Sequence, residues 1–426
     1  MNNELPGGWA WSTIGGVADV QLGRQRSPQH HHGEQMRPYL RSANVTWDGI
    51  SLDDVKEMNF DDADFEKYCL APGDLLLNEA SGSPNEVGKP AIWTGELEGC
   101  CFQNTLLRLR PHGVDRGYLF WFCYYAALTG RFGEAGRGVN IRHLGKRGLA
   151  AFPISVAPGD QQRRIVDWIE EHMSRLDSAA AAADAARAKA DALAPIALQG
   201  LFSSDWPVRQ IAEVARVGSG ATPKRSEPRY WTGGTIPWVN SGAVNSRSIA
   251  APSELITAQA LEETSVKLWP RGTVLVAMYG EGQTRGRAAR LEIESTCNQA
   301  CAAIDFDRSL VNGDYLLAFL NARYEASRKL ASGGVQPNLS IGLVKSMEIP
   351  IPDLDTQGEV ARRAETVVLE SVRLAKGCAG AVKRSGHLRR AVLAAAFSGR
   401  WDFDSNTLDA VGPSSEPSGS ASKKVV

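Results

Sequence analysis

Gln161-Gln162-Arg163-Arg164-Ile165-Val166 opens a run that continues through Ala179-Ala180-Ala181-Ala182-Ala183 and closes Gln199-Gly200-Leu201-Phe202-Ser203. Steps of four and three from Ile165 reach Ile169, His172, Leu176, Ala179, Ala183, Ala186, Ala190, Leu193 and Ala197. An apolar seam sustained this far exceeds an ordinary globular helix, so the spacing predicts one long helix over residues 161–201. A second seam begins 195 residues later (360 − 165) with Val360, Ala364, Val367, Ser371, Leu374, Cys378, Ala381, Ser385, Leu388, Val392 and Ala395. It predicts a second long helix over residues 357–400. The two runs also end alike, Phe202-Ser203-Ser204-Asp205-Trp206 against Phe397-Ser398-Gly399-Arg400-Trp401. About 40 residues at 1.5 Å each give a helix of roughly 60 Å. The small seam residues bury too little to hold either helix alone, because a buried methylene contributes only about 0.8 kcal/mol. The two helices are therefore expected to pair with each other as an antiparallel coiled coil. Ile165, Ile169, Leu176, Leu193, Val360, Val367, Leu374 and Leu388 are the expected contact residues of these spacer helices.

Moving outward from the helices, the chain repeats itself. Trp9 through Val20 lies over Trp206 through Val217 at an offset of 197 residues (206 − 9), with Trp, Ile, Val, Ala and Val coinciding. Pro72-Gly73-Asp74-Leu75-Leu76-Leu77 corresponds to Arg271-Gly272-Thr273-Val274-Leu275-Val276, and Gly88-Lys89-Pro90-Ala91 to Gly286-Arg287-Ala288-Ala289. Tyr118-Leu119 meets Tyr315-Leu316, and Phe152-Pro153-Ile154 meets Ile349-Pro350-Ile351. The order never breaks, so the chain is a tandem duplication. Each copy holds short apolar runs bounded by Gly and Pro, such as Asp74–Leu77, Thr105–Leu109, Thr273–Ala277 and Ala302–Phe306, which read as strands. Each also holds one apolar helical pattern, Tyr118–Ala127 and Tyr315–Ser327. A Pro-rich hinge then precedes each long helix. The expected fold is α+β, with β-rich globular parts at residues 1–160 and 202–356, helices at 161–201 and 357–400, and a Ser/Pro/Gly-rich tail at 401–426.

Composition limits the chemistry. At 426 residues, more than one core is expected. A net charge of −1 excludes a simple nucleic-acid-coating protein, though not one whose basic groups are local. No apolar run approaches the roughly 20 residues that span a bilayer, and the N-terminus lacks a signal peptide's basic start and apolar core. Seven cysteines without metal or redox spacing are expected to be reduced and packed, which fits the cytoplasm. Gly82 to Gly88 encloses five residues and Lys89 precedes Pro90, so neither the spacing nor the ending of a phosphate loop is met. No dinucleotide fingerprint opens a helix. His30-His31-His32 between Pro28 and Gly33 reads as a loop, and no metal site is expected. No catalytic constellation emerges.

What remains suits reading a polymer. Arg131, Arg137, Asn140, Arg142, His143, Lys146 and Arg147 form a local basic patch in the first copy. The second has Arg285, Arg287 and Arg290 in a Gly-rich loop, with Gln336 and Asn338 beside Pro337. Arginine suits guanine edges and phosphates, whereas Asn and Gln suit adenine edges. Arg137, Asn140, Arg142, His143, Lys146, Arg285, Arg287, Gln336 and Asn338 are candidate nucleic-acid contacts, together with Lys89, which falls opposite Arg287.

In this order the residues resemble one family. A Trp-initiated domain is followed by Gly-Asp-Leu-Leu or Gly-Thr-Val-Leu and then by Gly-Lys or Gly-Arg. Gln336-Pro337-Asn338-Leu339-Ser340, Ile349-Pro350-Ile351-Pro352 and a Gln-led long helix closing in Phe-Ser-x-x-Trp complete the set. The set is similar to the DNA-specificity subunits of type I restriction–modification systems, from about Pro6 to Trp401. The first copy departs from it, with Gly138-Val139-Asn140-Ile141 where the second has the fuller form. The resemblance implies two target-recognition domains, each reading half of a bipartite double-stranded DNA site, separated by paired helices conserved in that family. It implies no cofactor on this chain. Two modification subunits would carry S-adenosylmethionine and methylate adenine, and restriction subunits using ATP and Mg2+ would cleave unmodified DNA. A stand-alone DNA-modifying enzyme with degenerate motifs and a coiled-coil scaffold are the alternatives that the residues leave open.

Overall fold

Leu75-Leu76-Leu77 and Val274-Leu275-Val276-Ala277 are apolar without a break because the strands they form are covered on both faces. In the computed structural model, which describes residues 5–136, 142–202, 205–279, 284–324 and 339–398 and the backbone of 401–402 and 407–408, the chain divides into two compact units. One comprises residues 1–182 and 381–426, the other residues 183–380.

The first unit contains strands β1 (Ala18–Leu22), β2 (Met36–Leu40), β3 (Leu75–Asn78), β4 (Pro90–Ile92), β5 (Cys101–Phe102) and β6 (Leu106–Pro111). An antiparallel sheet runs β1-β6-β3-β4, while β5 pairs in parallel with β2 in a smaller sheet. Leu75 and Leu77 face helix α1 (Arg116–Leu128), and Leu76 faces a second cluster with Leu40, Trp93 and Phe102, as the period of a strand requires. Asp115 caps α1 by accepting from the Tyr118 amide at 3.0 Å. The long helix α2 (Gly159–Gln199) begins in this unit, and Ile165 and Ile169 enter the core beside α1.

The second unit repeats the plan with β7 (Ala215–Ser219), β8 (Ile236–Val239), β9 (Val274–Ala277), β10 (Ala288–Leu291), β11 (Thr296–Cys297) and β12 (Cys301–Phe306). Its main sheet runs β7-β12-β9-β10, with residues 248–249 added in parallel beyond β10. Helix α3 (Gly313–Ala322), capped by Asn312, covers one face. The second long helix, α4 (Leu354–Phe397), starts here, with Val360 and Ala361 in the core.

One glutamine per copy fixes where each long helix leaves its globular part. Gln162 is buried; its Oε1 accepts from the Asp115 amide at 2.7 Å, and its Nε2 donates to the Ala157 carbonyl at 2.7 Å. Gln357 is fully buried and does the same with the Asn312 amide at 2.7 Å and the Leu310 and Pro352 carbonyls at 2.9 and 2.8 Å. Tyr118 and Tyr315 donate to the Ser155 and Pro350 carbonyls, each at 2.7 Å, and hold the hinge strand against the helix. The similar helix endings have similar roles. Phe397 packs on Tyr118, Phe122 and Tyr125 in the first unit, and Phe202 packs on Tyr315 and Phe319 in the second.

The long helices run antiparallel. In the first unit, Ser155 Oγ donates to the Phe397 carbonyl and, further along α2, the Leu176 carbonyl accepts from Ser385 Oγ at 3.2 Å. Asp177 and Arg389 form an ion pair beside that contact. In the second unit, Leu198 shares a cavity wall with Ala364 and Val368.

The heptad seam needs correction. Ile165, Ile169 and Val360 are buried, and Leu176 and Val367 are half-buried. Leu193, Leu374 and Leu388 are 58, 46 and 52 % exposed and point away from the seam. The inward positions of α4 are Val360, Ala364, Val367, Ser371, Ala375, Cys378, Val382, Ser385, Arg389, Leu393 and Ala396, a repeat of 3.6 residues. One row of the heptad frame, Ala364, Ser371, Cys378, Ser385 and Val392, stays at least half-buried along α4, while the other row turns outward at Leu374 and Leu388, as expected when a straight helix drifts about 20° per heptad against a 3.5-residue repeat.

Candidate nucleic-acid interface

At the end of β3 the chain turns through Glu79 into the short strand Ala80–Ser81, which pairs antiparallel with Arg142–His143. The Glu79 amide donates to the Thr105 carbonyl, and the Leu144 amide to the Glu79 carbonyl, each at 2.9 Å. This lattice brings three distant loops onto one face. His143 Nδ1 lies 2.9 Å from Glu79 Oε2, with the ring 57 % exposed. Lys146, exposed at the start of the helical turn Lys146–Ala150, donates to Gln21 Oε1 at 3.3 Å.

The other sequence candidates are placed differently. Arg142 donates to the Gly133 carbonyl at 2.7 Å and is half-buried, tying its loop to the turn after α1. Lys89 is only 14 % exposed and is bound to Glu86, 2.5 Å away, so its charge is engaged within the fold. Burial pushes the Glu86 carboxyl up, but the hydrogen bonds from Lys89 and Trp47 outweigh it and hold the group below the ordinary carboxylate range. Arg285 and Arg287 are half-buried on either side of Gly286, with Arg287 5.8 Å from the Tyr324 ring centre. Arg290 is paired with Glu292 and Asp314. Arg137, Asn140, Gln336 and Asn338 lie outside the described residues.

The second unit builds the same face. The Leu339 amide donates to the Met278 carbonyl at 3.1 Å, as Leu144 does to Glu79. An open cleft of about 580 Å³ is lined here by Ser219, Met278, Tyr279, Gln299, Ala300, Ser340 and Ile341. Tyr279 is 41 % exposed and sets an aromatic plane beside the polar side chains of Ser219, Gln299 and Ser340.

Both faces carry a feature with no motif to announce it. Between β5 and β6 stand Gln103-Asn104, and between β11 and β12 stand Asn298-Gln299. Gln103 donates its amide to the Leu40 carbonyl, and Asn298 to the Val239 carbonyl, each at 2.9 Å. The end of β1 crosses close behind the first pair at Gly23, where a Cβ would lie 2.2 Å from the Gln103 carbonyl oxygen. Gly220 crosses behind the second pair, and a Cβ there would lie 2.0 Å from the Cys297 carbonyl oxygen. No other residue type fits either position. The sequence traces are the adjacency of two amides in both copies, at a local offset of 195 residues (298 − 103), and the corresponding glycines, Gly23 and Gly220, at 197 (220 − 23).

Burial pushes the Cys100, Cys101 and Cys297 thiols up to about 12, which removes thiolate chemistry near neutral pH. Among the described residues no group of three His, Cys, Asp or Glu side chains is arranged to hold a metal ion. No described helix is long and apolar enough to cross a membrane.

Residues 203–378 match the family model described as Type I restriction modification DNA specificity domain. The chain is 28 % identical over 167 residues to the Type I restriction enzyme MjaIX specificity subunit of Methanocaldococcus jannaschii, a match covering 38 % of each chain. It is 20 % identical over 427 residues to the Type I restriction enzyme StySPI specificity subunit of Salmonella potsdam, covering 93 % of this chain and 90 % of that one. The match to the first of these relatives thus spans well under half of its length. Among solved structures, the HsdS subunit from Thermoanaerobacter tengcongensis shares the fold, with a TM-score of 0.64, 19 % identity, and 93 % of this chain and 98 % of that one covered.

Proposed function

We propose that this chain, which belongs to the family of type I restriction–modification DNA specificity subunits, recognises a bipartite double-stranded DNA sequence. Each globular part reads one half, and the paired helices set the distance between the halves. The observation that carries this reading is the duplication of one polar face, built in both units by equivalent strands, the same crossing glycine and the same adjacent amides. A protein that reads two related but unequal half-sites needs one such face for each.

The chain acts without chemistry of its own. Two modification subunits carrying S-adenosylmethionine methylate adenine at the site that this chain selects, and restriction subunits using ATP and Mg2+ cut DNA left unmodified. The exposed apolar side chains of the long helices, including Leu193, Ile196, Leu369, Leu374 and Leu388, are the surface offered to these partners. Lys146 and His143 contribute phosphate or base contacts on the first face.

Co-expression with modification subunits, followed by mapping of methylated adenines, tests the reading. A bipartite motif with a fixed gap is the expected result. Replacing residues 206–353 by the equivalent segment of a relative should change one half of the motif and leave the other intact. Change in both halves sinks the two-reader assignment, and S-adenosylmethionine binding by the purified chain alone points instead to a stand-alone enzyme.

A further inference from the structure

We infer that the adjacent amides Gln103-Asn104 and Asn298-Gln299 are specificity-determining base contacts, one pair for each half of the recognised duplex. The inference rests on the DNA-specificity reading above and adds the residues that discriminate. A planar side-chain amide carries a donor and an acceptor side by side, which matches the N7 acceptor and N6 donor of adenine in the major groove. It carries no net charge, so it contributes to discrimination between bases rather than to phosphate attraction.

The placement supports this role in both units. Each pair sits at the point where the chain passes from a short parallel pairing into an interior strand of the main sheet. Backbone hydrogen bonds fix that point from two sides. The Arg24 amide donates to the Phe102 carbonyl at 3.0 Å and the Asn104 amide to the Arg24 carbonyl at 2.9 Å, while the Ala221 amide donates to the Cys297 carbonyl at 2.9 Å. A reader held by sheet hydrogen bonds keeps its aim within a fraction of an ångström, which bidentate recognition demands.

The second unit shows further orientation. Thr222 Oγ1 donates to Gln299 Oε1, and Asn298 Oδ1 accepts from the Ala300 amide at 3.2 Å. A carbonyl oxygen has two lone pairs, so Gln299 keeps one acceptor site and both N–H donors for a base edge. Gln299 is exposed and lines the 580 Å³ cleft, whereas Gln103 and Asn104 are half-buried next to Thr105, whose carbonyl accepts from the Glu79 amide. Thr222 is thus a positioning residue and Gln299 the reader.

The test is selection from a randomised duplex pool by the full chain, alone and co-purified with modification subunits. Gln299→Ala and Asn104→Ala should each relax one base-pair position by about 5- to 150-fold, in different halves of the site. The slope of affinity against salt should not change, because neutral amides release no counterions. Gln299→Glu and Asn104→Asp keep the shape and guard against misfolding; they should move the preference from adenine toward cytosine, whose N4 donates to a carboxylate. Folded variants that select the wild-type sequence overturn the inference, as does a lower salt slope in the alanine variants, which marks phosphate contacts. If the wild-type chain selects a bipartite site and these variants do not alter it, the inference alone fails. A wild-type chain that selects no sequence in either form removes the specificity reading and the inference with it.

Discussion

Gln357 illustrates how much one buried amide can hold. Its three hydrogen bonds join the first turn of α4 to the cap of α3 and to the hinge before α4. Gln357→Ala leaves the Asn312 amide and two carbonyls facing a cavity, at about 1–3 kcal/mol for each group left unsatisfied. Hydrogen exchange of α3 should accelerate accordingly, while exchange of α1 stays at wild-type rates; equal acceleration in both helices contradicts the assignment. Glu86 offers a pH test at the same scale. Its folded pKa lies below the unfolded value of about 4.3. The stabilisation it provides is therefore complete above the unfolded value and is lost as pH falls through the depressed folded value. Glu86→Gln should lower stability at neutral pH and flatten the acid limb of the stability curve. Wild-type and variant curves that remain parallel from about pH 6 to about pH 3 would show that the Lys89–Glu86–Trp47 group contributes nothing to it.

The long helices were legible in the sequence because periodic apolar residues are a local signal, and the strands were legible because buried runs such as Leu75-Leu76-Leu77 need no partner to be recognised. Phase was not legible to the same degree. A 3.5-residue frame and a 3.6-residue frame agree at Ile165 and Ile169 and part at Leu193; in α4 they share Val360, Cys378 and Ser385 and part at Leu374 and Leu388. Leu388 and Leu393 separate the two frames experimentally. Leu393 is fully buried and Leu388 is 52 % exposed. Leu393→Ala should cost about 2–5 kcal/mol, and Leu388→Ser should change stability by no more than about 0.5 kcal/mol, both measured by denaturant midpoint. A seam at heptad spacing reverses that order. The polar face proposed to read DNA was the least legible element, because its parts meet only through tertiary contacts. Gln103 acquires its position from Gly23 and Leu40, which are remote in the chain, and Arg142 looks like surface charge until its bond to the Gly133 carbonyl is seen.

At the scale of the whole molecule, each unit is completed by both long helices. The first unit takes the start of α2 and the end of α4, and the second takes the end of α2 and the start of α4. The division falls at residues 182/183 and 380/381, within both helices, and each terminal phenylalanine, Phe202 or Phe397, enters the aromatic cluster of the unit where its helix ends. Neither helix can then be lengthened alone without pulling its Phe from its site, since the partner strand of the coiled coil keeps its old length. Seven residues added to α2 only, after Ala182, should therefore destabilise the chain, with loss of Phe202 or Phe397 packing seen as protease sensitivity. Seven residues added to both helices, after Ala182 and after Gly380, keep the antiparallel match and turn the seam by only about 20°. They lengthen the pair by about 10 Å, close to three base pairs at about 3.4 Å each. The doubly extended chain should fold, select the same two half-sites, and select them with a longer gap. Unchanged half-sites at an unchanged gap contradict the role of the helices as spacer, and altered half-site bases show that the helices themselves touch the bases.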